Sequence, residues 1–171
     1  MSRIAGSETE VVIGDLRRRY VPLISTIFAM LLGLLPLVNS SLWVPDLAFL
    51  MLVTWRLVRP EIWQAYTALG LGLLADLISG APLGQSMLLW TIVFLCLDYA
   101  DYLLGVRDYW LDWTLATAAI CFHTAGVWYI ALLTGAETSF LVMVPQLVLS
   151  ILAYPLVARI VLRLDRWRLA R

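Results

Sequence analysis

The 171-residue chain is 62% hydrophobic and 14% charged, with a mean hydropathy of +0.87, far from the balance of an ordinary soluble domain. Its twelve cationic side chains are all arginine, and without lysine there is no Walker A loop, Ser-x-x-Lys nucleophile or Schiff-base amine, which excludes a membrane ATPase of standard type. The twelve arginines are matched by twelve acidic residues, and no nucleic-acid footprint follows from that balance.

The stretch Met1–Asp15 carries Glu8, Glu10 and Asp15 and lacks the apolar core and small-residue cleavage site of a signal peptide. It reads as a disordered tail, and residues 1–19 are assigned to it. Six apolar segments follow, at Tyr20–Val38, Leu42–Val58, Ile62–Ile78, Leu83–Leu104, Leu111–Leu133 and Phe140–Leu162. Each is close to the roughly 20 residues that cross a bilayer, and each is predicted helical because a helix satisfies its own backbone groups in lipid. Residues 20–165 therefore form one all-α integral membrane domain with six transmembrane helices, and 166–171 an arginine-rich tail.

The arginines sort to one side of this pattern. Arg3, Arg17, Arg18 and Arg19 precede the first segment, Arg56 and Arg59 follow the second, Arg107 follows the fourth, and Arg159, Arg163, Arg166, Arg168 and Arg171 close the sixth. The positive-inside rule then places both termini in the cytoplasm. The opposite turns, Asn39-Ser40-Ser41, Ser79-Gly80-Ala81-Pro82 and Thr134 to Ser139, are too short to fold as domains, and short connections predict that sequential helices pack as antiparallel neighbours. Trp43, Trp55, Trp63, Trp110, Trp113 and Trp167 fall near segment ends, where the headgroup zone suits an indole. Trp90 and Trp128 lie deeper, where packing is expected.

Asp46 in the second segment and Asp76 in the third are predicted at similar depth, both remote from every arginine. An unpaired carboxylate there costs several kcal/mol. They are expected to be protonated, or held by local hydrogen bonds from Ser79, Ser86 or the amides opening the fourth helix, or else met by a partner's cation or a ligand. Ala68, Gly72, Asp76 and Gly80 recur at i, i+4 along one helix face, with Gly70 and Ala75 beside them, a pattern suited to close helix contact within the bundle or with another subunit. Cys96 and Cys121 lack metal or redox spacing and are expected in the core. Asp98, Asp101, Asp108 and Asp112, interspersed with Tyr99, Tyr102 and Tyr109, form an acidic corner in which Asp98 and Asp101 are expected to pair with Arg159 or Arg163, or which offers a docking surface. His123, the sole histidine, reads as a neutral, hydrogen-bonded core residue. No catalytic constellation, metal site or cofactor motif stands out.

The run from Val44 to Gly84 contains Pro45-Asp46-Leu47, Arg59-Pro60-Glu61, Gly70, Gly72, and Asp76-Leu77 followed by Gly80, Pro82, Leu83 and Gly84. In order and spacing this resembles the rod shape-determining protein MreD family. The resemblance implies a non-enzymatic scaffold subunit of the elongation machinery in the bacterial inner membrane, positioning peptidoglycan synthesis through an MreC-like partner together with MreB, RodA and a class B penicillin-binding protein. It also implies a six-helix fold similar to the substrate-binding subunits of energy-coupling-factor transporters.

Physical chemistry gives the motif a rationale of its own. Pro45, Pro60 and Pro82 suit helix starts, Glu61 suits a first turn, and Arg59 would anchor the turn at headgroups while pairing with Glu61. Pro45, Asp46, Arg59, Pro60, Glu61, Gly72, Asp76, Gly80, Pro82 and Gly84 are thus the candidate partner-binding or structural residues. The rival reading is a transporter subunit with a midplane pocket, for which Trp90, Trp128, His123 and Asp76 are the candidate lining. A lipid-acting membrane enzyme would need clustered catalytic groups, for which only the acidic corner is suggestive.

Overall fold

The computed structural model describes the backbone over residues 8–34, 44–105, 108–135 and 139–169, with side chains from Tyr20 onward. The turn at Asn39 to Ser41, Trp43, Arg107, the centre of the Thr134 to Ser139 turn, and the side chains of Arg3, Arg17, Arg18, Arg19 and Arg171 lie outside the described residues. Among those described, six α-helices follow one another: α1 (Glu8–Gly33), α2 (Leu47–Val58), α3 (Ala65–Ser79), α4 (Gln85–Leu104), α5 (Tyr109–Leu133) and α6 (Val144–Leu169). A short 3-10 turn, Phe140–Val142, leads into α6. Helix already begins at Glu8 and continues to Leu169, so helix replaces tail over much of the stretches that the sequence assigned to the two termini.

Helix α2 is the centre of the molecule. It packs against α1, α5 and α6, and Phe49, Leu50, Leu52, Val53, Trp55 and Leu57 are all buried along it. α3 instead pairs most extensively with α4. Hence α2 and α3, consecutive in sequence, are not a principal packing pair, contrary to the expectation that a short link makes neighbours. The intervening turn carries the chain from the centre of the bundle to its edge.

Three helical stretches are long and apolar enough to cross a membrane: Gln85–Leu104, Tyr109–Leu133 and Phe140–Leu169. The apolar stretches Tyr20–Gly33, Leu47–Val58 and Ala65–Ser79 are shorter. At 1.5 Å per residue α2 spans only about 18 Å, well under the roughly 30 Å of a hydrocarbon core. The sequence had assigned a longer helix here, from Leu42. Non-helical backbone at depth is tolerated where protein or a cavity surrounds it, and the half-buried Pro45 and Asp46 that precede α2 border a cavity.

Exposure separates lipid-like from packed faces. On α3, Leu69, Leu73 and Leu77 are exposed while Ala68, Leu71, Gly72, Ala75 and Asp76 are buried, so the small-residue face turns inward. A Cβ built on Gly72 would lie 2.6 Å from the Met87 Cα, which means α3 and α4 are in backbone contact there. Cys96 and Cys121 are exposed on the outside of the bundle, not in the core as composition suggested. Hydropathy fixes how deep a residue sits, but a helix in lipid is apolar all round and its rotation is not encoded. Trp55 and Trp63 depart from expectation for the same reason. Both are core residues, Trp55 donating from Nε1 to Ser25 Oγ at 2.9 Å and Trp63 stacking on Phe94, whereas Trp110 and Trp167 are exposed near helix ends.

Candidate functional site

Asp76 closes the α3–α4 hairpin. It is 1% exposed, and its carboxylate accepts from the backbone N–H of Gly84 at 2.9 Å, Ser86 at 2.9 Å and Met87 at 3.4 Å. These are donors left unsatisfied at the start of α4. Gly84, at the N-cap, supplies no side chain, so a carboxylate from the preceding helix does the capping, favoured by the dipole of α4. The turn requires two left-handed residues, Gly80 at φ 69° and Gly84 at φ 95°, a conformation that costs most side chains. Gly80 N–H closes α3 on the Asp76 carbonyl at 3.0 Å, and the Pro82 carbonyl accepts from Gln85 at 3.0 Å. The spacing of Asp76, Gly80, Pro82 and Gly84 is therefore a folding instruction for one tight hairpin.

Asp46 has a different setting. As the N-cap of α2 it accepts from Phe49 N–H at 3.0 Å through Oδ1. Its Oδ2 faces His123 Nε2 at 3.9 Å, and 37% of the side chain is exposed. His123 is buried and stacked on Phe49 with ring centroids 4.0 Å apart, and its Nε2 accepts from Trp90 Nε1 at 3.2 Å. An imidazole that accepts on Nε2 carries its proton on Nδ1 and is uncharged. His123 thus matches the sequence expectation and supplies Asp46 with no cation.

Above this cluster lies a cavity of about 160 Å³ into which five helices deliver polar groups: Asp46 from α2, Ser79 from α3, Gln85 from α4, Thr124 from α5 and Gln146 from α6. Phe49, Leu50, Ile120 and Val127 supply apolar wall. A second cavity of about 460 Å³, bordered by Ala29, Pro45, Ala75 and Trp90, shares Asp46, Ser79, Ser86 and Gln146 with the first. Of the four lining residues expected from sequence, His123 borders the first and Trp90 the second, while Asp76 and Trp128 border neither. Trp128 packs edge-on against Phe140. Gln85, Thr124, Gln146 and Ser150 were missed because an isolated Ser, Thr or Gln in an apolar run carries no signal of which way it points.

The arginine end is held by ion pairs that sequence matched to other partners. Arg56, 2% exposed, donates from Nη2 to Asp98 and to Asp101, the latter at 2.8 Å, and lies 6.0 Å from the Phe94 ring centroid. Its Nε and Nη1 have no hydrogen-bond partner among the described residues. Arg159 and Arg163, the expected partners of these acids, are exposed on α6 instead. Arg59 donates from Nε and Nη2 to Asp165 at 3.0 and 2.8 Å, and Arg168 donates to the other oxygen at 2.7 Å. The expected pairing of Arg59 with Glu61 gives way because Asp165 is buried and gains more from a cation than exposed Glu61 does. Pro60 and Glu61 form a turn before α3, whose helix opens only at Ala65.

Of the candidate residues, Pro45, Asp46, Asp76, Gly80, Pro82 and Gly84 thus gather at one end, Arg59, Pro60 and Glu61 at the other, and Gly72 at the α3–α4 contact. The whole is a small helical membrane-type protein with its described arginines at one end of the bundle and a polar cavity at the other. Residues 17–165 match the family model of the rod shape-determining protein MreD, and the chain belongs to that family. Comparison with curated proteins and with solved structures finds no match.

Proposed function

We propose that the chain acts in rod-shape determination as a non-enzymatic scaffold: a multi-pass inner-membrane subunit, crossing six times, that holds an MreC-like partner and through it positions MreB, RodA and a class B penicillin-binding protein. Family membership supplies the role in cell shape. The observation that carries the scaffold reading is the sorting of charge. Arg56, Arg59 and Arg168 are tied to Asp98, Asp101 and Asp165 at one end, while the opposite end presents the α3–α4 hairpin with Leu77 and Leu83 exposed. With the arginines cytoplasmic, the hairpin tip lies at the outer leaflet, where it meets the membrane-proximal part of a bitopic partner. The fold implied by resemblance, that of energy-coupling-factor substrate subunits, belongs to the same reading.

Co-purification of an MreC-like partner with Leu83→Arg and Asp46→Leu variants that insert normally tests this. Loss of the partner from the Leu83→Arg variant supports the reading, and undiminished recovery with the double variant contradicts it. A second reading, a transporter subunit holding a solute, is favoured by one observation, the polar cavity above Asp46 and His123. Solute uptake dependent on the chain would establish it.

A further inference from the structure

The cavity has a definite charge preference. Its one charged lining group among the described residues, Asp46, directs Oδ2 toward an uncharged imidazole, since His123 Nε2 is occupied by the Trp90 N–H. The described arginines with carboxylate partners are spent on Asp98, Asp101 and Asp165 at the far end. What surrounds Asp46 are neutral groups from four other helices, the hydroxyls of Ser79 and Thr124 and the amides of Gln85 and Gln146, over a floor that includes the Phe49 ring. One carboxylate among neutral hydroxyls and amides disfavours a phosphate or carboxylate and favours a cation with several N–H donors. The volume beside Asp46, about 160 Å³, is close to that of an engineered cavity that holds a benzene-sized guest, enough for one compact cationic group.

We propose that this cavity is a binding site for one ammonium or guanidinium group, engaged by Asp46 Oδ2 and by the Gln85 and Gln146 amide oxygens. The cation comes either from a free small amine or from a partner's arginine or lysine side chain. The first source stands apart from the scaffold reading, and the second makes the cavity part of it.

The test uses the full chain in nanodiscs, with thermal unfolding followed by tryptophan fluorescence. Agmatine, ethanolamine and methylguanidinium are the cationic probes, with glycerol and inorganic phosphate as controls at matched ionic strength. Expected is a saturable rise in Tm of about 3 °C with at least one cation at tenfold over its Kd, absent with glycerol and phosphate. Asp46→Asn should abolish the rise while leaving the unliganded Tm nearly unchanged, because Asn caps a helix as well as Asp does. No response to any cation, an equal response to the controls, or a wild-type response in Asp46→Asn overturns the proposal.

A photo-crosslinking amino acid at Val127, which lines the cavity, introduced in native membranes, separates the sources. A peptide adduct joined near an arginine or lysine, whose formation excess agmatine added before irradiation prevents, supports the site with a partner side chain as its cation. Saturable agmatine binding without a peptide adduct supports a free amine. A peptide adduct that forms equally in excess agmatine overturns the shared site. Absence of cation binding by the wild-type chain with intact partner co-purification rejects this inference and spares the scaffold, whereas cation binding by a wild-type chain that recovers no partner does the opposite.

Discussion

The Asp76 carboxylate accepts the Gly84 N–H at 2.9 Å across the turn that joins α3 to α4. One side chain thereby sets the end of one helix, the start of the next and the path between them. Hydrogen bonds to a charged acceptor contribute about 1.5–3 kcal/mol each, and a buried donor left unpaired costs about 1–3 kcal/mol.

Asp76→Ala, which strands the Gly84, Ser86 and Met87 amides, should therefore lower unfolding free energy by about 3 kcal/mol or more. Asp76→Asn, which keeps one acceptor, should cost less. Gly84→Ala should cost about 1–2 kcal/mol from its left-handed backbone alone. Chemical unfolding in detergent gives all three, and an Asp76→Ala variant as stable as the parent would refute the capping role.

Two glycines on α3 should respond in opposite senses. Gly72→Ala brings a methyl to 2.6 Å from the Met87 backbone, which cannot yield as a side chain does, so a loss of about 1–3 kcal/mol is expected. Gly70 has nothing within 4 Å of a built Cβ, and Gly70→Ala should be neutral or stabilise by up to about 1 kcal/mol through helix propensity. Thermal unfolding of the pair checks the rotation of α3, and equal behaviour would contradict it.

At the arginine end, the asymmetry between the partners of Arg56 is measurable. Arg56→Met removes the cation shared by Asp98 and Asp101, whose side chains are 44% and 26% exposed, and should destabilise by about 1–2 kcal/mol. Asp98→Asn should cost about 1 kcal/mol or less, because the Asp98 side chain is 44% exposed and screened by solvent while Asp101 still holds the guanidinium. A larger loss in Asp98→Asn than in Arg56→Met would reverse the assignment.

Much of this architecture was legible in the chain. Hydropathy located all six helices, and the remoteness of Asp46 and Asp76 from every arginine pointed to local hydrogen bonds, which is how both carboxylates are held. What remained hidden shares one cause. Depth along a helix follows from sequence position, but the face a residue occupies does not, since a lipid-facing side and a packed side are both apolar. Arg56 was matched in depth to no acid although Asp98 and Asp101 lay level with it. Trp55 was read as a headgroup anchor when it faces Ser25, and Cys96 as core when it faces outward. Helix α2 was drawn too long because its apolar run was assumed to meet lipid. The cavity was anticipated only through His123 and Trp90, because the rest of its polar lining is one or two residues from each of five helices.

The account depends on which end of the bundle faces the cytoplasm. With Cys96 and Cys121 replaced by alanine, single cysteines at Leu83 and at Glu61, both exposed, can be probed in spheroplasts with a membrane-impermeant maleimide. Leu83→Cys is expected to label in intact spheroplasts and Glu61→Cys only after permeabilisation. Labelling of Glu61→Cys in intact spheroplasts would contradict the orientation and, with it, the leaflet of the partner contact.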